Sequence, residues 1–463
     1  MRIIVVGAGR IGFNLCKSLA EENHEIYLIE RDEALAEKTD EKLDVKVVCG
    51  SGTDPDTLKN VNISGADLMI AVTRSDEINL VVCSLASFFG CRRQVARVRN
   101  ISLSKEIAVS GYSHFNLDAI INPEHLASQA IEKTIAAPGA REVGDFANGR
   151  ILLRAFDMPS SSPLCGVKIQ NLREEDFPWP FLIIAISRAG EVIIPSGETS
   201  IESSDRIYVL LPLESLGEFL SFVDPEIKRP SKIIIYGATD TGEQLAKALS
   251  SRIKDIILLE ESASKAEEVA ERLESIRVIN GSASELDILS ESGIEAADIF
   301  VASSDDDDTN LISAVLAKKM GAKTTIIVTQ HTDYSSMIDA LGIDVAINPQ
   351  MLAVEQILSF VRGESISAVT KLMEGNAEAL ELIAEKGSAI TKAPIKEIKF
   401  PRNSIVGAVC REDEVILANG DTQIKENEKA IVFCQHTAVK KLQALFTKKQ
   451  GILPELFGKD ATL

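Results

Sequence analysis

Apolar positions along the first third of the chain alternate between two rhythms. Short unbroken runs, such as IIVV after the first two residues, EIYLIE ending at Glu30 and LMIAV ending at Val72, read as buried strands. Between them lie stretches with apolar residues four apart, among them Ile11, Leu15 and Leu19, which read as helices with one face inward. Strands alternating with helices predict an α/β unit whose parallel sheet is covered on both faces.

The same rhythm then recurs. IYGATDTGEQLAKALS (235–250) repeats VVGAGRIGFNLCKSLA (5–20), with Thr241, Leu245 and Leu249 in the places of Ile11, Leu15 and Leu19. Gly7 and Gly237 are 230 residues apart, as are Glu30 and Glu260; Gly50-Ser51 and Gly281-Ser282, Asp67 and Asp298, and Asn79 and Asn310 are each 231 apart. GADLMIAVTRSDEINL pairs with AADIFVASSDDDDTNL, and IINPEHLA with AINPQMLA, so the whole first unit is duplicated.

A different texture follows each copy. GRILLRAFDM, FLIIAISRAGEVIIP and DRIYVLLP predict strands with a hairpin at Arg188-Ala189-Gly190. SSPLCGVKIQNL predicts a helix with Ser162 as N-cap and Pro163 as first helical residue. ALELIAEKG, PIKEIKF, IVGAVCREDEVILANGDTQI and EKAIVFC answer in the second half, with Thr199 and Thr422 in matching places. The expected organisation is two tandem Rossmann-like domains, each followed by a small α+β domain: 1–135, 136–228, 229–360 and 361–447, with a joint at 225–232 and a tail at 448–463.

Composition narrows the setting. The 463 residues are 45% apolar and 25% charged, as in an ordinary globular protein. No apolar run reaches the roughly 18 to 20 residues of a membrane span, so no direct membrane insertion is expected. The N-terminus enters a strand at once, without a charged leader or cleavage site, which argues for a cytoplasmic chain. Seven scattered cysteines, never spaced as CxxC, read as reduced small hydrophobes. A net charge of -20 argues against nucleic acid and against the anionic face of a membrane.

GAGRIG, Gly7 to Gly12, is a complete G-x-G-x-x-G between a predicted strand and helix, a context in which Gly7, Gly9 and Gly12 let a pyrophosphate approach the helix N-terminus. Glu30 ends the second strand, where a carboxylate accepts from ribose hydroxyls and repels a 2′-phosphate. NAD(H), or an adenosine phosphate with a free 2′-hydroxyl, is therefore expected rather than NADP(H). Thr73 and Arg74 follow a strand at the ligand-binding edge, and Arg97 ends the next strand; each arginine serves equally as a phosphate contact or as an ordinary ion pair.

The second copy, GATDTG, has Thr239 for Gly9 and Asp240 for Arg10, while Asp305 aligns with Arg74 and Val328 with Arg97. Glu260 keeps the ribose position. This site has either lost its ligand or changed its preference. The run of four aspartates at 305–308 reads more readily as a helix opening than as a metal site.

No catalytic constellation accompanies these turns. His24, His114, His125, His331 and His436 fall in no recognisable motif, and His125 is matched by Met351. A ligand site without chemistry points to a sensor; an NAD-dependent dehydrogenase with an unrecognised substrate site, and a scaffold with vestigial sites, are the alternatives.

Taken together, MRIIVVGAGRIG, YLIERD, VVCGSGTD, ADLMIAVTRSDEINL, ARVR and INPE resemble the RCK (regulator of conductance of potassium) family, from residue 1 to about 447. The resemblance implies N-terminal Rossmann-like and C-terminal RCK domains, each present twice. It further implies a non-enzymatic gating subunit of a potassium uptake system, assembled as a homotetrameric ring on the inner face of the plasma membrane beneath a TrkH-type channel or transporter subunit. The family binds NAD(H), ATP or ADP, at either site. Carried onto this chain, Gly7, Ala8, Gly9, Arg10 and Ile11 hold pyrophosphate, Glu30 holds ribose, Thr73 and Arg74 lie beside the adenosine or phosphate, and Arg97 meets phosphate. Gly237, Ala238, Thr239, Asp240, Thr241 and Glu260 form the second site.

Overall fold

A computed structural model describes residues 1–22, 24–172, 179–224, 230–331, 335–362, 366–372, 377–411 and 414–448. Most of the expected joint at 225–232, and nearly all of the expected tail, lie outside them.

The first Rossmann-like domain has strands β1 (Arg2–Val6), β2 (Glu25–Glu30), β3 (Lys46–Cys49), β4 (Leu68–Ala71), β5 (Arg93–Arg97) and β6 (Ala119–Ile121). Its helices are α1 (Arg10–Ala20), α2 (Glu33–Asp40), α3 (Pro55–Asn60), α4 (Asp76–Phe88), α5 (Ile101–Ser110) and α6 (Pro123–Ala136). The sheet is parallel, in the order β3-β2-β1-β4-β5-β6, which reverses direction at β1 and so opens a crevice between the carboxyl ends of β1 and β4. Ile11, Leu15 and Leu19 are all buried against it, as their spacing predicts. Each such side chain contributes about 1.5–3 kcal/mol.

The small domain that follows has β7 (Ala140–Phe146), β8 (Ile151–Asp157), β9 (Leu182–Arg188), β10 (Glu191–Ile193) and β11 (Arg206–Pro212), with α7 (Leu216–Val223). The expected hairpin joins β9 to β10, with Ala189 and Gly190 at φ 50° and 84°. The helix expected at Pro163 does not form. Ser162 Oγ accepts only from Leu164 N, at 3.4 Å, and Gly166 turns the chain at φ 83° after a single turn that buries Leu164. Thr199 and Thr422 do occupy matching turns, accepting from Ser196 N and Asn419 N at 2.9 and 3.0 Å.

The second half repeats this plan: β12 (Lys232–Tyr236), β13 (Asp255–Glu260), β14 (Arg277–Asn280), β15 (Ile299–Ala302), β16 (Thr324–Val328) and β17 (Val345–Ile347), with α8 (Asp240–Leu249), α9 (Ala263–Arg272), α10 (Leu286–Glu291), α11 (Asp307–Met320), α12 (Ser335–Leu341) and α13 (Pro349–Arg362). Its strand order, β14-β13-β12-β15-β16-β17, is the same. The last domain has β18 (Ile366–Leu372), β19 (Ala377–Ile383), β20 (Ser404–Arg411), β21 (Glu414–Leu417), β22 (Lys429–Gln435) and α14 (Val439–Phe446).

The cores do not respect the sequence repeats. Helix α6 places Ile131 and Ile135 in the core of the second Rossmann-like domain, against α8. Helix α13 returns Ala353, Val354, Ile357 and Leu358 to the core of the first, against α1. Each half thus completes the other. The small domains pack sheet against sheet, Phe146, Leu153 and Leu210 meeting Ala377, Ala379 and Phe433. A Cβ on Gly407 would lie 2.2 Å from Leu210 Cδ1, so glycine lets the two sheets approach there without displacing that side chain.

The cysteines are all free. Burial pushes the Cys16 thiol up to about 12, consistent with an inert small hydrophobe.

Candidate functional site

Both glycine turns form, and for the same reason. Gly7 takes φ 104° and Gly237 φ 96°, backbone that favours glycine. A Cβ on Gly12 would stand 1.9 Å from Gly7 O, and one on Gly242 2.1 Å from Gly237 O, so each turn tolerates only hydrogen there. Gly9, in contrast, has φ −62° and open space where a Cβ would go, and it caps α1 without a side chain. The first amides of α1 therefore face the crevice, where an anion is favoured.

Glu30 is held in place by its neighbours. Oε2 accepts from Ala8 N at 2.7 Å and Oε1 from Asp32 N at 3.0 Å, fastening the end of β2 to the glycine turn. Each oxygen retains a lone pair for a ribose hydroxyl. Thr73 donates through N and Oγ1 to Asn79 Oδ1 at 2.9 and 2.7 Å, which fixes the loop after β4.

Arg97 lies at the end of β5 with its side chain only 14% exposed, 3.7 Å from Glu124 Oε1. Its Nε and Glu124 Oε2 are both buried without a hydrogen-bond partner. Burial pulls the Arg97 pKa below the ordinary arginine value, although Glu124 opposes this. An under-satisfied buried guanidinium facing a crevice fits an incoming phosphate oxygen.

These groups line a cavity of about 960 Å³ that opens between the two Rossmann-like domains, so that the two crevices face one another. Arg10, Arg31, Arg74, Arg97 and Arg99 line the first side. Asp240, Glu243, Asp305 and Asp307 line the second. Arg10 Nη1 reaches across to Gln330 Oε1 at 2.9 Å.

Sequence reasoning missed Arg31, Leu35, Arg99, Glu124 and the Gly50–Gly52 loop as lining residues. Arg31 stands next to Glu30, and Arg99 lies two residues beyond Arg97 on the same side of the chain, so both carried a signal. Glu124 did not: it opens α6 just past β6, and the pairing of Arg97 with Ile121 between β5 and β6 sets it beside Arg97 and Arg99.

In the second crevice Glu260 accepts from Ala238 N at 2.8 Å and Ser262 N at 2.9 Å, as Glu30 does, and Asn310 holds Ser304 as Asn79 holds Thr73. Thr239 differs from Gly9: Oγ1 donates to Ser303 O at 2.7 Å and accepts from Gly242 N at 3.3 Å, taking one of the amides that a phosphate would use. Lys265 Nζ stands 3.8 Å from Glu260 Oε2. Asp306 caps α11 through Thr309 N at 2.6 Å, and Asp307 accepts from Gln330 N at 2.8 Å, so the aspartate run opens a helix. Among the described residues no cluster of His, Cys, Asp and Glu could hold a metal ion. His125, on α6, bonds Gln244 of α8 at 2.8 Å, an interface role.

Comparison with known proteins follows the same division. The TrkA-N domain matches residues 3–123 and 233–349, and the TrkA-C domain residues 153–224 and 380–447. The Trk system potassium uptake protein TrkA of Vibrio alginolyticus is 33% identical over 452 residues, covering 96% of this chain and 98% of that one. Its namesake in Haemophilus influenzae is 32% identical over 438 residues, covering 94% and 95%. The GsuK RCK domain superposes with a TM-score of 0.61 at 17% identity over 96% of this chain and 94% of that chain. The GsuK channel bound to NAD does so at 0.60 and 18%, over 96% and 78%. At such identities these two structures establish the fold alone.

Proposed function

The chain belongs to the TrkA family, and from that premise we propose that it is the nucleotide-binding regulatory subunit of a potassium uptake system, whose ligand changes the shape of a ring that gates a membrane channel. The observation that carries this reading is the first crevice: an open glycine turn, Glu30 fixed for ribose, and buried Arg97 with an unpaired Nε. The ligand is NAD(H), ATP or ADP. The resemblance to GsuK, a channel solved with NAD bound, supports this choice.

No described helix is long and apolar enough to cross a membrane; in this reading the chain meets the bilayer from the cytoplasmic side through a TrkH-type membrane subunit, as the names of its relatives support. Assembly into a homotetrameric ring is supported by the outward apolar side chains of matching helices: Val81 and Phe88 on α4, Val109 on α5, Ile312 on α11 and Met337 on α12, between 47% and 85% exposed. We read the chain as a sensor rather than a dehydrogenase because the TrkA relatives above are named as potassium uptake proteins and no histidine stands among the described residues that line the cavity.

Two measurements test the reading. Thermal unfolding with NADH, NAD, ATP, ADP and NADPH should show stabilisation by all but NADPH, about 2.7 kcal/mol at a hundredfold excess over Kd. Potassium flux through vesicles carrying the channel subunit should then depend on this chain and on the nucleotide added. Flux indifferent to the chain under every nucleotide rejects the proposal, and turnover of NADH with a metabolite panel would favour the dehydrogenase.

A further inference from the structure

The second crevice keeps one half of a nucleotide site and discards the other. Kept are the left-handed Gly237, the glutamate fastened to the turn amide, and the Asn310 clasp on the loop after β15. Discarded is every arginine of the first side: Arg10, Arg31, Arg74, Arg97 and Arg99 become Asp240, Glu261, Asp305, Val328 and Gln330. The helix amide of Gly242, whose counterpart is left to a ligand in the first turn, is taken by the Thr239 hydroxyl.

What remains is a pocket of about 210 Å³ adjoining the large cavity, with which it shares Thr239, Lys265 and Asp305, and lined further by Glu260, Glu261, Asp306 and Thr309. Carboxylates accept hydrogen bonds and do not donate them. They suit the hydroxyls of a ribose and the amino group of a base, and they oppose phosphate oxygens. We propose that this second crevice takes a phosphate-free nucleoside, with a ribose diol and an exocyclic amino group as in adenosine, and that Thr239, Glu261 and Asp305 turn phosphates away.

In this arrangement Glu260 receives the diol, its geometry matching that of Glu30 within 0.1 Å at the turn amide, 2.8 against 2.7 Å. Asp305 and Asp306 line the same pocket, at the positions where the first crevice has Arg74 and Ser75. The chain would then read two different signals, a phosphate-bearing ligand in one crevice and a bare nucleoside in the other. This inference rests on reading the first crevice as a nucleotide site.

Isothermal titration of the full chain with adenosine, AMP, ADP and ATP tests it, with Glu260→Gln and Glu30→Gln assigning each event to a crevice. The expected result is an adenosine site that Glu260→Gln weakens at least about tenfold, as for a lost hydrogen bond to a charged group, and that Glu30→Gln leaves intact. AMP should bind that site at least about tenfold less tightly than adenosine. The double variant Thr239→Gly with Asp305→Arg, which restores first-crevice residues and keeps the Glu260 anchor, should reverse that order. AMP binding as tightly as adenosine at the Glu260 site overturns the inference, as does adenosine binding that ignores Glu260→Gln. ADP held by the first crevice with no adenosine in the second overturns this inference alone. Failure of every compound in both crevices overturns the reading of the first crevice as well.

Discussion

In the first crevice Gly9 leaves the amides of α1 open and five arginines surround them; in the second Thr239 closes an amide and acidic or neutral side chains stand where those arginines were. Below these groups the two share the same strand order, the same left-handed glycine and the same glutamate bonded to the turn amide. The difference separates residues that serve the fold from those that, in the proposed reading, serve a ligand. Those with steric or hydrogen-bonding duties inside the chain persist in both copies, whereas those whose partner would be a bound phosphate persist in one.

Substitution at the shared skeleton should have the largest effects and should not distinguish the copies. Gly12→Ala and Gly242→Ala each drive a Cβ to within about 2 Å of a carbonyl oxygen. Each should lower stability by about 2–4 kcal/mol, read as matching shifts in urea unfolding. A large effect at one and none at the other would break the equivalence of the two turns.

At the next level the copies should part. Arg97→Val installs the residue of the second copy at the buried position proposed to meet phosphate. It should weaken ATP and ADP binding about 10- to 100-fold, the value of a charge-assisted hydrogen bond, with Tm of the unliganded chain unchanged or raised because a buried orphan is removed. Titration calorimetry and a melting curve check both halves of that statement. Smaller again, Thr239→Ala should cost about 0.5–2 kcal/mol through loss of the α8 cap. Gly9→Thr, entering open space at an unstrained φ, should cost no stability yet weaken binding of phosphate-bearing ligands.

The smallest expected effect concerns how the copies are held. Arg141 of the first small domain bonds Asp157 at 2.8 Å and reaches Asp344 of the second Rossmann-like domain through its carbonyl at 2.8 Å. Asp118, the counterpart of Asp344, accepts from Gln94 N at 2.7 Å just as Asp344 accepts from Thr325 N at 2.8 Å, so of the two it is the Arg141 contact that sets Asp344 apart. Burial pushes the Asp157 pKa up, but Arg206 and Arg141 outweigh it and hold the carboxyl below its usual value. A lowered folded-state pKa gives stability that is present above the unfolded value and is lost as pH falls through the folded one. Below about pH 4, the ordinary aspartate range, amide exchange in 324–347 should therefore quicken before that in 93–121. Equal acceleration in both segments would remove this asymmetry.

Much of the molecule was legible along the chain because it rests on local rules. Apolar spacing predicted the strands and helices of both halves, the glycine pattern predicted both turns, and the repeat predicted four domains. Where local rules were weak the reading failed, as at Ser162-Pro163, whose cap signal was overridden by the burial of Leu164 and the left-handed Gly166.

The sequence by itself determined the two turns, their glutamates and the loss of arginines in the second copy, since each depends on residue type at a fixed place in a repeated motif. Only the tertiary structure decided that α6 and α13 exchange partners, that the crevices share one cavity, and that Glu124 stands beside Arg97. These are contacts between residues far apart in the chain. They are chosen by which apolar faces bury one another best, and no local pattern specifies that choice.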